Sequence, residues 1–385
     1  MSTLFLQREE QGLAEMPMSG RGPRWSRVQN ELGETLMVRL STSQLDWVTW
    51  IICLLLSFFC LTGSNYQQLP AVQWAPWVIG ILFLSLPHGG LDDTLPSILR
   101  DEGLQRRGRR FGFYFGYIGV MIGTLAIWMV RADLGLLSFL LFSGYHFGQG
   151  DLFWSHQRRI LAGLSSDPGT YRKAVLLLAR GGISVFLPFV IHDQQFQEIG
   201  ELLSIESGQS IALPDWFSRH RSLLLSALGG LALVDAAFAF TRIFDRRTTA
   251  AERRIEFIGL GEIAILLIFF SLVPPILSVG AYILCWHAPR HVWRLMLLDP
   301  ALREQLAIGR SVRAVAGFHR KAAGMVVAAS IILVLISALC IRYEFAAVRL
   351  IFPAFLFVNA ITVPHIITVI MLDRFQSVWS CGRSS

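Results

Sequence analysis

From Trp47 to Leu91 the chain carries not one Asp, Glu, Lys or Arg. A helix crosses the ~30 Å hydrocarbon core of a bilayer with about 20 apolar residues. The stretch, broken only by the polar segment Ser64 to Gln68 and by Pro70, therefore predicts two spans joined by a tight hairpin. Further apolar runs occupy Phe111 to Val130, Leu134 to Gly150, Ala174 to Ile191, Ser222 to Phe240, Phe257 to Val273, Pro275 to Trp293, Ala322 to Cys340 and Leu350 to Leu372. The expectation is an all-α, polytopic integral membrane bundle of about ten transmembrane helices, or eight or nine if the weaker runs drop out. Only 16% of the 385 residues are charged, against about a quarter in soluble domains, which excludes an ordinary soluble enzyme.

Loop charge orients the bundle, because cytoplasmic loops collect basic residues. Arg106, Arg107, Arg109 and Arg110 follow the second run, Arg158, Arg159, Arg172 and Lys173 the fourth, Arg246, Arg247, Arg253 and Arg254 the sixth, and Arg290, Arg294, Arg303 and Arg310 the eighth. The intervening loops are poor in basic residues, and the one at 192–221 carries Asp193, Glu198, Glu201, Glu206 and Asp215. The alternation predicts both termini on the cytoplasmic side. It divides the chain into an N-terminal tail at 1–44, a single transmembrane domain at 45–373 and a C-terminal tail at 374–385. The same alternation accounts for the net charge of +7 without nucleic acid. Five cysteines show no paired spacing and predict no disulfide framework.

Nine histidines are present. His156, His192, His220 and His319 fall in loops or at run edges, where water satisfies them. His88, His146, His287, His291 and His365 lie within or at the ends of runs, where a ring without partners is expensive to bury. With the orientation above, all five lie in the cytoplasmic half. His287 and His291 are i, i+4 on a helix, so both rings share a face and are able to hold one metal ion. Imidazole ligands suit Fe, Cu, Zn or Ni, and ligating histidines usually donate their second ring N–H to an oxygen. Asp92, Asp93 and Asp151 stand close in sequence to His88 and His146 and are candidates for that role. Bis-His haem needs paired histidines on two facing helices, whereas only the eighth run has two.

Other readings of the same polar residues remain. Arg180 is explained by snorkelling. Asp235 and Glu262 could relay protons with the histidines, which would make the chain a proton- or ion-coupled transporter. An intramembrane histidine cluster could also merely bond helices to one another. A retinal photoreceptor would need a lysine in mid-membrane, and the only lysines are Lys173 and Lys321.

The segments Leu86-Pro87-His88-Gly89-Gly90-Leu91-Asp92, Tyr145-His146-Phe147-Gly148-Gln149, Trp286-His287-Ala288-Pro289-Arg290-His291 and Val363-Pro364-His365 together resemble the motifs of the Brp/Blh family. That family comprises bacterial and archaeal membrane β-carotene 15,15'-dioxygenases. The resemblance implies a non-haem Fe(II) enzyme that uses O₂ to cleave β-carotene centrally into two molecules of all-trans-retinal. It maps the iron ligands, and with them the catalytic centre, onto His88, His146, His287 and His291. His365 would shape the site without being one of the four ligands, with Asp92, Asp151, Tyr145 and Trp286 as further surroundings. Membrane lipid would deliver the carotenoid, a retinal-binding opsin would be a functional neighbour, and the location would be the cell (inner) membrane. Residues 1–44 and the first span extend beyond the family's compact core.

Overall fold

The computed structural model describes residues 36–63, 70–92, 107–164, 167–342 and 351–379. Among these residues there are helices and no strands. In chain order they are α1 (Leu36–Leu61); α2, a rod built from Pro70–Gly80, the π-helical segment Ile81–Ser85 and the turn Leu86–Gly89; α3 (Arg107–Val130); α4 (Ala132–Leu161); α5 (Thr170–Ile191); α6 (Asp193–Ser207); and α7 (Leu213–Arg219). They continue with α8 (Arg221–Phe244); α9 (Ala250–Leu272); α10, built from Pro275–Tyr282, the π-helical segment Ile283–His287 and Ala288–Leu298; α11 (Pro300–Ala307); α12 (Ser311–Arg342); and α13 (Ile351–Phe375).

Each of the ten apolar runs is thus helical, and α6, α7 and α11 are short connectors. Eight of the rods are long and apolar enough to cross a membrane; α4 and α10 are not among them. These two carry His146, Asp151, Arg158, His287, Arg290, His291 and Arg294, all buried. Helix faces enclosed by other helices need not be apolar; α10 has no exposed residue, and α4 is exposed only at Leu134, Leu141 and Phe142. The outer rods show the reverse pattern: Phe58, Met129 and Leu233, on α1, α3 and α8, are exposed, as a lipid-facing surface allows. The protein is a polytopic helical membrane protein.

The rods outrun the apolar stretches that announce them. α4 continues past Gly150 to Leu161 and α10 past Trp293 to Leu298, so Arg158 and Arg294, expected in cytoplasmic loops, are instead buried inside the bundle, as is Arg290, which was grouped with them. α1 begins at Leu36, inside the expected tail, and at the other end Gln376 and Val378 are fully buried. Residues 1–35 and 380–385, and with them most of both expected tails, lie outside the described residues.

α4 and α5 make the most extensive helix pair. A Cβ added to Gly181 would stand 1.9 Å from the Gly144 carbonyl oxygen, and one on Gly148 would stand 2.1 Å from that of Leu177. The two backbones touch, as small residues permit in membranes. At Gly229 and Gly230 of α8, by contrast, nothing lies within 4 Å of where a Cβ would stand.

Candidate metal centre

Four rods deliver five imidazoles to one place: His88 from α2, His146 from α4, His287 and His291 from α10, and His365 from α13. All are at least 94% buried. Ring centroids of His88 lie 4.9 Å from His291 and 4.8 Å from His365, and those of His146 lie 4.6 Å from His287 and 5.0 Å from His365. His291 and His365 are 5.3 Å apart. One nitrogen from each of His88, His146 and His365 lies within 4.8 Å of the other two.

Local sequence aims these rings. The π-helical segments Ile81–Ser85 and Ile283–His287 precede His88 and end at His287. One residue inserted into an α-helix rotates the remainder of the rod by about 100°. Gly80 lets the two segments approach, with Leu284 and Ile283 at 3.4 and 3.5 Å from where its Cβ would be. A proline follows each segment and lacks the N–H that would meet the carbonyl one turn back. For Pro289 that carbonyl is Cys285, which the Thr49 hydroxyl of α1 reaches at 2.9 Å while sharing its proton with Leu45. For Pro87 it is Phe83, and His319 Nε2 of α12 lies 2.8 Å away. His319, expected to be satisfied by solvent, therefore holds the backbone beside His88.

The outward nitrogens fix the tautomers. His88 Nδ1 is 3.0 Å from the Leu84 carbonyl, and His365 Nδ1 is 3.1 and 3.0 Å from the two carboxylate oxygens of Asp92. These oxygens accept only, so each Nδ1 bears the proton and each Nε2 keeps a lone pair. His146 Nδ1 faces Gln149 Oε1 at 3.4 Å, and the Gln149 amide is oriented because its Nε2 donates to Asp373 at 2.7 Å.

The inward nitrogens are left short of partners. His291 Nε2 and His365 Nε2 are buried with none, and His146 Nε2 faces His287 Nε2 at 3.1 Å. A buried polar atom left unpaired costs about 1–3 kcal/mol, so a cluster of them argues for a cation between the rings. Nitrogens about 2.0–2.1 Å from one zinc-sized ion stand about 3–3.5 Å apart, which the His146–His287 pair matches. The donor set fits a transition metal that accepts imidazole, iron included.

The expected surroundings are distributed differently from their sequence neighbourhoods. Asp92 serves His365 on α13, not His88 four residues before it, and also accepts from Tyr117 at 3.2 Å. Asp151 does not meet His146; it accepts from Trp286 Nε1 at 2.8 Å and Arg290 at 2.9 Å. Trp286 turns away from the imidazoles, with the Arg290 guanidinium 4.2 Å above its ring. Tyr145 packs against the cluster of Leu152, Phe153, Leu176, Leu177 and Val378. Asp93 lies outside the described residues.

Gln149 and Asp46 are participants that the sequence did not single out, and Glu262, Asp235 and Arg180 take up partners it did not foresee. Gln149 is fully buried and links His146 to Asp373, which in turn accepts from Arg294 at 2.8 Å. Asp46 takes Arg158 on both oxygens, at 2.7 and 3.0 Å. Glu262 accepts from Arg158, Arg180 and Arg290 at 2.6–3.0 Å, and Asp235 lies 3.8 Å from Arg180. Arg180, expected to snorkel, is 98% buried within this ion network. A polar residue three positions after a membrane histidine, as Gln149 is, was the one available hint.

Comparison with known proteins bears on the same segments. Residues 79–373 match the family model described as beta-carotene 15,15'-dioxygenase, a stretch that includes all five converging histidines. The probable β-carotene 15,15'-dioxygenase Blh of Halobacterium salinarum is 26% identical over 334 residues, covering 86% of this chain and 92% of that protein. The probable β-carotene 15,15'-dioxygenase Brp of the same species is 24% identical over 264 residues, 66% of this chain and 67% of that protein. A β-carotene 15,15'-dioxygenase from uncultured marine bacterium 66A03 is 26% identical over 134 residues, 35% of this chain and 42% of that one. No solved structure matches the chain. The family match spans well over half of the sequence, and the chain belongs to the beta-carotene 15,15'-dioxygenase family.

Proposed function

We propose that this enzyme cleaves β-carotene at its central 15,15' double bond with O₂, giving two molecules of all-trans-retinal, at a non-haem Fe(II) centre held by His88, His146, His287 and His291. The observation that carries the reading is the convergence of five buried imidazoles, with the Nδ1 atoms of His88 and His146 hydrogen-bonded outward, His146 Nε2 and His287 Nε2 facing each other at 3.1 Å, and His291 Nε2 buried without a partner. Ferrous iron, when bound, supplies the redox chemistry with O₂.

The chain's own contribution is position and exclusion of water. Leu84 and Gln149 hold His88 and His146 by their Nδ1 hydrogens, so neither ring has to reorient when loaded. Phe147 and Tyr282 pack against His287, with ring centroids at 4.7 and 6.3 Å, and give that flank an apolar and aromatic wall. A polyene dissolved in hydrocarbon reaches such a site laterally, without crossing water, and retinal leaves by the same medium. Placement in the cell membrane with both termini cytoplasmic, and delivery of product to a neighbouring opsin, complete the proposal.

The test is expression in bacteria that accumulate β-carotene. Loss of orange colour with appearance of retinal is expected, and an apocarotenal of another length would move the cleavage position. Purified protein should contain iron, and His88→Ala or His287→Ala should lose iron and cleavage together while the protein stays helical. Full activity with iron retained in either variant would overturn the ligand assignment.

A further inference from the structure

We propose that His365 is itself a ligand of the metal centre, a fifth imidazole held in its ligating tautomer by Asp92. The inference rests on the metal-centre reading above and extends it to a residue which that ligand set leaves out. Its ring centroid lies 4.8, 5.0 and 5.3 Å from those of His88, His146 and His291. It belongs with His88 and His146 to the group whose nitrogens lie within 4.8 Å of one another.

A neutral histidine present only to bond helices together would give its N–H to an acceptor and take a donor on its other nitrogen. His365 does only the first. The Asp92 carboxylate straddles Nδ1 at 3.0 and 3.1 Å, and Tyr117 donates to one of its oxygens at 3.2 Å. Nε2, on the other side of the ring, is buried with no hydrogen-bond partner. Carboxylate on one nitrogen and a bare lone pair on the other is the arrangement of a metal-ligating histidine. The backbone leaves room for it: the atom nearest to where a Cβ on Gly89 would stand is His365 Nδ1, at 4.0 Å.

Charge supports the same assignment. Neutral imidazoles alone would leave a divalent cation uncompensated in a low-dielectric interior, at high cost. Asp92 sets a negative group one hydrogen bond from the centre, and His365 is the side chain that carries it there. His365 also brings α13 into the centre, which the set of His88, His146, His287 and His291 would leave without a ligand.

The test compares the purified full-length chain with His88→Ala, His365→Ala and Asp92→Asn, with helical content checked by circular dichroism. Each is titrated anaerobically with Fe(II), and with Co(II) as a spectroscopic probe. Metal per chain, affinity against a competing chelator and the imidazole number from X-ray absorption are read. His365→Ala should lose one imidazole from the metal's shell and bind more weakly, with added free imidazole restoring retention. Asp92→Asn should keep the imidazole number and weaken the metal about 10–100-fold. Unchanged imidazole number and affinity in His365→Ala, with metal lost in His88→Ala, would overturn the role of His365 and leave the metal centre standing. No metal bound by the unaltered chain would instead overturn the metal-centre reading itself, and this proposal with it. Should His365→Ala fail to fold, an Asp92→Asn affinity within about twofold of the unaltered chain counts against the proposal, because an outer carboxylate on a true ligand does not leave affinity untouched.

Discussion

Gln149 shows how one side chain without chemistry of its own controls a reactive neighbour. Its carbonyl oxygen faces His146 Nδ1 at 3.4 Å and its amide nitrogen donates to Asp373 at 2.7 Å. Replacing it by leucine keeps the volume and removes both bonds, so His146 is free to rotate or to move its proton to the inward nitrogen. Gln149→Leu should weaken metal retention about 10–100-fold in a chelator competition, as lost outer hydrogen bonds do, with the helical signal unchanged. Unaltered affinity would show that His146 needs no orientation from outside. The histidines were legible in the sequence because a ring in an apolar run has no solvent to satisfy it. Their partners were not, because Asp92 and His365, or Gln149 and Asp373, meet only after distant rods pack. Proximity in sequence pointed Asp92 toward His88 and Asp151 toward His146, while the fold hands both to other residues.

At the scale of elements, the same apolar periodicity that located the rods misplaced their ends. An apolar run stops where charged residues gather, but a helix does not when an arginine has a carboxylate to meet inside, as Arg158 has in Asp46 and Glu262. The π-helical segments had no signal of their own, since an extra residue per turn changes the direction of side chains without changing composition. The energetic meaning of the α4–α5 glycine contact is testable at Gly181. A methyl group there would fall 1.9 Å from the Gly144 carbonyl oxygen, so α4 and α5 must separate and drag His146 with them. Gly181→Ala should cost about 1–3 kcal/mol, the usual range for overpacking, read as a lower thermal midpoint in detergent. Gly229→Ala, on an open face, is the matched control and should leave the midpoint nearly unchanged. Equal midpoints for the two variants would mean that the α4–α5 contact does not limit stability.

The whole molecule is organised from the inside outward by charge. Asp46, Asp151 and Glu262 face Arg158, Arg180 and Arg290 in a buried network that joins α1, α4, α5, α9 and α10. With Asp235 of α8 3.8 Å from Arg180, four carboxylates face three guanidiniums, so each guanidinium has an acid beside it where water is absent. The network reaches the metal centre along α10, where Trp286 and Arg290 are immediate neighbours of His287 and His291, and through the Tyr282 ring, which stacks on both Trp286 and His287. Its role is therefore to hold that rod in register. The transporter alternative gives Glu262 a different task, exchanging protons in mid-membrane, and a single isosteric change separates the two. Glu262→Gln removes one negative charge and with it the ionised partner that Arg158, Arg180 and Arg290 share. Breaking a buried pair in this way costs about 3–5 kcal/mol, so the variant should show a markedly lower thermal midpoint and a loss of cleavage that tracks the fraction folded. A relay would lose turnover while the midpoint held, because a protonated or amidated carboxyl would then be a state the fold visits in its normal cycle. Four hydrogen bonds from three guanidiniums onto two oxygens leave Glu262 no such state, which is why stability rather than turnover is the expected casualty.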